Sequence, residues 1–127
     1  MKLRIALLFS IGIVVFSLLS GCSAMAKLEE TKALTITTPN YEKLPDGAYR
    51  GVYDGGLVRA EVAVTIHAKN IQSVELLQHD HGRGAEAEKI VDSIVEAQSL
   101  EVDVISGATV SSKAILKATE NALRTEN

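Results

Sequence analysis

Apolar and polar residues alternate most regularly between Leu57 and His67, and this pattern predicts a strand with one buried face. The predicted buried residues are Val58, Ala60, Val62, Val64 and Ile66. Further strands are predicted at Ala48–Tyr53 and at Ile71–His79. The connections are short: "DGG" precedes the central strand and "AKN" follows it. These features predict a three-stranded antiparallel meander.

After residue 84 the apolar residues recur at helical spacing. A helix is predicted from about Ala85 to Gln98 and a second from about Ala108 to Leu123, with a short extended piece at Val102–Ile105 between them. Strands followed by helices favour an α+β fold. The prediction is a small antiparallel sheet with two helices packed on one face, in a domain that spans residues 46–127.

The first 21 residues have the pattern of a secretory signal peptide. Lys2 and Arg4 precede an apolar run of 15 residues, Ile5–Leu19, and small residues follow it. A membrane-spanning helix needs about 20 apolar residues, so the length and flanks of the run disfavour the alternative of an uncleaved signal anchor.

Cys22 is the only cysteine, so it forms no disulfide within the chain. The residues "LSGC" resemble the lipobox of bacterial lipoproteins, which implies cleavage before Cys22 and its acylation with diacylglycerol and palmitate. Several acyl chains give stable anchoring because each buried methylene contributes about 0.8 kcal/mol. The resemblance implies an extracytoplasmic protein anchored to the lipid bilayer of the cell membrane or outer membrane. An ordinary buried cysteine is the disfavoured alternative, since Cys22 borders an apolar leader and a polar segment.

Residues 22–45 show no consistent period, and Pro39 and Pro45 interrupt them. This composition predicts a lipidated tether with a short strand at Leu34–Thr37. About 20 flexible residues would give a root-mean-square reach of roughly 25 Å.

The charge balance excludes one class of partner. The chain has 13 basic and 16 acidic residues, and without the leader 11 basic residues remain, for a net charge of −5. An acidic domain without a basic patch is not a nucleic-acid-binding protein.

The stretch "DVISGATVSS", Asp103–Ser112, places hydroxyl and small residues around the start of the last predicted helix. A helix N-terminus has unpaired amides and the positive end of the dipole, and these favour a phosphate. Gly107 and Ala108 allow close approach to the backbone, and Thr109 supplies a hydroxyl there. The alternative is plain capping by Ser106 with nothing bound.

"DVISGAT" resembles the flavinylation motif of FMN-binding domains, Asp-x-x-Ser/Thr-Gly-Ala-Thr, and the resemblance extends over about residues 46–123. It implies that Thr109 carries FMN through a phosphoester. It also implies a Mg²⁺-dependent flavin transferase with FAD as donor, and membrane redox partners. The other residues assigned to the flavin site on this basis are Asp103, Ser106, Gly107, Ala108, Ser111 and Ser112. No Ser/His/Asp set lies near Thr109 in sequence, so Thr109 is interpreted as a substrate of the transferase.

Three weaker features leave alternatives open. His79 and His81 flank Asp80, which suggests either a metal site or a polar loop, and the polar loop is favoured. The resemblance implies that Gly82–Gly84 border the flavin, although Arg83 departs from the usual small or apolar residue. Tyr49 and Tyr53 either stack on a flavin or are ordinary strand residues.

Together these features predict a membrane-tethered flavoprotein that transfers electrons outside the cytoplasm and has no substrate, catalytic residue or metal of its own. Two alternatives stay open: a small flavin-dependent reductase of an organic acceptor, and a flavin-free surface lipoprotein.

Overall fold

The computed structural model describes residues 23–80 and 84–124. Residues 23–32 are helical and are called α1. The elements that follow are a 3-10 helix at Tyr41–Lys43, strands β1 (Gly47–Asp54), β2 (Arg59–His67) and β3 (Asn70–Asp80), a 3-10 helix at Ala85–Lys89, and helices α2 (Ile90–Ala97) and α3 (Thr109–Leu123). The α+β fold class predicted from the sequence is confirmed.

The sheet is an antiparallel meander with strand order β1-β2-β3, as predicted. Ala68 and Lys69 connect β2 to β3, and their φ angles of 49° and 64° are both left-handed. Two such residues in a two-residue loop match the twist of the flanking strands. Asp46 stabilises this turn, because its Oδ1 accepts a hydrogen bond from the Ala68 N–H at 2.9 Å.

One face of β2 lies in the core. Its residues Ala60, Val62, Val64 and Ile66 are each at most 1% exposed. The residues between them are only half-buried, so the alternation predicted for this strand is confirmed. Helix α3 covers β1 and β2 on this face, and α2 packs against β3.

Helix α3 approaches β1 closely because Gly51 has no side chain. A Cβ atom at Gly51 would lie 2.0 Å from the carbonyl oxygen of Ala118 and 2.4 Å from the nitrogen of Ala122. Any side chain at this position would therefore push the helix away from the sheet. The contact sets the distance between α3 and the sheet and so helps to position the N-terminal end of the helix.

The helix predicted from Ala85 to Gln98 is divided in the structure. Its first part is the 3-10 helix Ala85–Lys89, and only Ile90–Ala97 is α-helical. Ala87 and Ile90 are both fully buried, and residues three apart align on one face of a 3-10 helix. Gln98 ends α2 with a left-handed φ of 50°, and its side chain bonds both the N–H and the carbonyl of Ile71 at 2.8 Å.

The prediction of a flexible tether with a strand at Leu34–Thr37 is wrong for residues 23–44. α1 packs on the sheet through Thr31, which is 1% exposed and has its hydroxyl 2.9 Å from that of Tyr53. Gly55 permits this approach, because a Cβ atom there would lie 2.8 Å from Thr31 Oγ1.

The chain after α1 is irregular but is held along α3 and the loop that precedes it. Lys113 Nζ donates to the carbonyl of Leu34 at 2.7 Å, and the Leu100 N–H donates to Thr38 Oγ1 at 3.0 Å. The buried Tyr41 donates its hydroxyl to the carbonyl of Gln98 at 2.8 Å. These are single side-chain contacts, which leave no apolar period in the sequence. For this reason the sequence of residues 22–45 resembled that of a tether.

The predicted signal peptide and Cys22 lie outside the described residues. Within residues 23–80 and 84–124, no helix combines the length and the apolar composition that crossing a bilayer requires.

Candidate functional site

The stretch Asp103–Thr109 forms a sharp turn that leads into α3. Ser106 and Gly107 form the turn, and the Ala108 N–H donates to the carbonyl of Ile105 at 3.0 Å. Gly107 has a φ of 78°, a left-handed angle that glycine adopts without steric cost. The backbone geometry of the turn therefore accounts for the glycine.

Ser112 fixes this turn from inside the protein. It is fully buried, and its Oγ accepts a hydrogen bond from the Ile105 N–H at 3.0 Å. Its own N–H donates to the carbonyl of Ala108 at 2.9 Å. The loop and the first turn of α3 are thereby joined at two points, which sets the position of Thr109 between them.

Thr109 lies in the wall of a cleft of about 540 Å³, called here the Thr109 cleft. The described residues that line it are Leu28, Lys32, Leu57, Val58, Gly84, Gly107, Ala108, Thr109, Val110 and Ser111. They come from α1, the β1–β2 connection, the segment before the second 3-10 helix and the start of α3. The volume is within the range of about 300–1,000 Å³ typical of small-molecule sites.

Four of the predicted site residues meet in this cleft: Gly107, Ala108, Thr109 and Ser111. The other three are not among its lining residues. Ser112 points into the protein, as described above, and Ser106 is exposed but is not the helix cap, since Ala108 occupies the N-cap position. Asp103 is exposed and borders a separate depression with Ser93 and Glu101.

The electrostatics of the cleft favour an anionic ligand. Ala108 has no side chain that can cap α3, and no acidic residue lies in its first turn. The amides of that turn have no acceptor within the helix, and the helix dipole adds partial positive charge there. Among the described lining residues, Lys32 is the only one with an ionisable side chain, and it is basic.

The residues present fit FMN, which has an anionic phosphate at one end and a flat ring system at the other. A Cβ atom at Gly107 would meet no other atom within 4 Å, so space for a phosphate is open in front of the turn. Leu28, Leu57 and Val58 supply apolar surface suited to an aromatic ring.

The contribution of α1 to this cleft was not predicted from the sequence. Ala24, Leu28 and Thr31 do follow helical spacing, and the structure partly or fully buries all three. The signal was weak because only Leu28 of the three is strongly apolar. Of the predicted glycine loop, Gly84 lines the cleft, whereas Gly82 and Arg83 lie outside the described residues.

The weaker candidates have other positions. His79 lies at the end of β3 rather than in a loop, with its side chain 1% exposed and its Nδ1 3.4 Å from Glu88 Oε1. His81 lies outside the described residues, and residues 23–80 and 84–124 contain no group of three or more potential His, Cys, Asp or Glu metal ligands. The Tyr49 hydroxyl donates to the carbonyl of Pro45 at 2.6 Å, and neither Tyr49 nor Tyr53 lines the Thr109 cleft.

Comparison with known proteins agrees with the motif. The model of a family described as FMN-binding domain matches residues 55–124, more than half of the chain. A protein of Treponema pallidum (strain Nichols), described as uncharacterized, is 34% identical over 85 residues, which are 65% of this chain and 24% of that protein. The chain therefore spans about a quarter of the length of this curated relative.

Proposed function

This chain belongs to the FMN-binding domain family, and from this premise we propose that it carries FMN covalently on Thr109 and transfers electrons outside the cytoplasm. The observation that carries the proposal is the position of Thr109. It is the first residue of α3, it is half-buried, and it lines a cleft. The adjacent turn at Gly107 has open space beside it, in which a phosphate could lie.

In the proposed attachment, Thr109 is the substrate of a separate Mg²⁺-dependent transferase. A bond forms between Thr109 Oγ and the phosphorus of the FMN half of FAD, the pyrophosphate bond breaks, AMP leaves, and the hydroxyl proton is released. The described lining residues offer no carboxylate or imidazole that would activate the hydroxyl, which supports modification by another enzyme.

Once attached, FMN would supply reversible electron transfer through its ring system, and the protein would supply placement. The amides in the first turn of α3 would hold the phosphate, and the apolar residues of the cleft would contact the ring. Ser112 acts indirectly, because its bond to the Ile105 N–H holds the turn in shape.

The proposal includes membrane attachment through acylated Cys22. Its support is the leader and the "LSGC" residues, and the partners would be membrane redox proteins and the flavin transferase. Since α1 begins at residue 23 and packs on the domain through Thr31, an anchor at Cys22 would hold the Thr109 cleft near the bilayer surface.

The test is co-expression of the full chain with a flavin transferase and FAD, followed by intact-mass measurement and peptide mapping. We expect the mass to increase by that of FMN less one water, on a peptide that contains Thr109. The protein should fluoresce in a denaturing gel, because a phosphoester survives unfolding.

Matched variants identify the acceptor. Thr109→Ala should carry no label and should lose less unfolding free energy than the about 1 kcal/mol typical of a capping hydroxyl, because Ala108 and not Thr109 occupies the N-cap position. Thr109→Ser should retain some label, and Ser111→Ala, two residues away in the same cleft, should be labelled as the wild type is. Covalent flavin on Thr109→Ala would contradict the assignment, and an unlabelled wild type would contradict the proposed function.

A further inference from the structure

We infer that α1 is a wall of the flavin site and that Lys32 places a positive charge beside the flavin ring. This inference rests on the proposed function, but it concerns a part of the chain that the family match does not include. The matched residues are 55–124, whereas α1 is formed by residues 23–32. Leu28 and Lys32 nevertheless line the Thr109 cleft.

The packing of α1 fixes these two side chains in place. Thr31, on the same helix, is buried and has its hydroxyl 2.9 Å from that of Tyr53. On the neighbouring turn of α1, Lys27 also packs on the β1–β2 connection, since a Cβ atom at Gly56 would lie 3.1 Å from Lys27 Cδ. These contacts leave α1 a defined face toward the cleft.

The charge of Lys32 is available to a ligand. Its Nζ lies 2.8 Å from Glu29 Oε1, but the two side chains are 48% and 67% exposed. An exposed ion pair of this kind is weak, so the ammonium group can exchange Glu29 for another negative partner at little cost.

The position of Lys32 assigns it to the ring of the cofactor. The phosphate would be fixed at Thr109 by its covalent bond and held by the amides of α3. Lys32 lies on a different wall, the one that α1 forms. It would therefore face the ring of FMN rather than the phosphate. A flavin ring gains electron density on reduction, and a nearby positive charge stabilises that form. Lys32 should therefore raise the reduction potential.

The experiment is a redox titration of the full flavinylated chain, purified in detergent, at low and at high ionic strength. Lys32→Met should lower the reduction potential, and Lys32→Arg should restore the wild-type value because the charge returns. Glu29→Gln should raise the potential, because it removes the competing carboxylate. All shifts should shrink in high salt, where charges at the surface are screened.

The matched control is Lys89→Met, which removes the same charge from another exposed lysine that pairs with a glutamate three residues earlier and does not line the cleft. We expect it to leave the potential close to the wild-type value. Equal shifts in the Lys89 and Lys32 variants, or no shift in either, would overturn the role of Lys32 while leaving covalent flavin on Thr109 intact. A wild-type chain without flavin would overturn both proposals.

Hydrogen exchange gives a second readout, independent of electron transfer. Amides of residues 23–32 should exchange more slowly in the flavinylated chain than in Thr109→Ala, because the flavin covers one side of α1. Amides of α2, which does not contribute to the Thr109 cleft, should exchange equally in both proteins. Equal exchange in α1 would refute its assignment as a wall of the site.

Discussion

Gly107 separates two effects of a mutation that usually occur together, backbone strain and steric obstruction. Its φ of 78° is strained for residues with a side chain, yet a Cβ atom there would meet nothing within 4 Å. Alanine at this position should therefore lower stability through the backbone angle alone. Asparagine adds more bulk but tolerates left-handed angles better.

The expected magnitudes follow from that geometry. A left-handed angle costs an ordinary residue about 1–2 kcal/mol. Replacement of glycine by alanine also reduces the entropy of the unfolded chain, which returns about 0.4–1 kcal/mol. Gly107→Ala should thus lose up to about 1.6 kcal/mol net, with about 0.8 kcal/mol at the centre of these ranges, and Gly107→Asn clearly less. For a small domain, 1 kcal/mol moves the urea midpoint by about 0.3–1 M.

Flavin attachment should rank the two variants in the opposite order. The transferase must bring FAD to Thr109 across the open side of the turn, and the larger asparagine side chain obstructs that approach more than a methyl group does. We therefore expect Gly107→Asn to be the more stable variant and the slower one to be modified.

The assay combines urea unfolding of unmodified protein with the rate of flavin incorporation by a transferase under identical conditions. Ser106→Ala, an exposed neighbour at an ordinary backbone angle, is the control for a change of side chain in the turn. The reasoning fails if alanine is as stable as glycine, because the backbone is then not left-handed. It also fails if Gly107→Asn accepts flavin at the wild-type rate, because the open side of the turn is then irrelevant.

Two further predictions concern the ends of the N-terminal segment. Cys22→Ser should leave an unprocessed precursor that incorporates no labelled palmitate, and normal processing and labelling would contradict the lipoprotein proposal. Burial, together with the charge of Glu42, raises the pKa of Tyr41 above its usual 10.0, so its contribution to stability should be complete below about pH 10 and should be lost as the pH rises through the raised pKa. Urea unfolding of wild type and Tyr41→Phe at several pH values tests this. The unfolding free energy of the wild type relative to Tyr41→Phe should be constant up to about pH 9 and should fall above pH 10. A relative stability that stays constant throughout would contradict the prediction.

The sequence by itself determined those features that depend on neighbouring residues. The alternation in β2 predicts its buried face because successive side chains of a strand point to opposite sides. The turn before α3 could also be predicted from the sequence. Gly107 supplies the left-handed angle, and the helix begins two residues later, at Thr109. The position of Thr109 at a helix start is therefore a local property.

Only the tertiary structure decided what surrounds Thr109. Ser111 and Ser112 are adjacent serines that follow the motif, but at 3.6 residues per turn their side chains point about 100° apart. The packing of α3 on the sheet turns Ser111 toward the cleft and Ser112 into the protein. The contribution of Lys32 depends on contacts even farther apart in sequence, above all the bond of Thr31 to Tyr53 across 22 positions. A single polar contact of this kind leaves no periodic pattern in the sequence, so it can be recognised only in the folded structure.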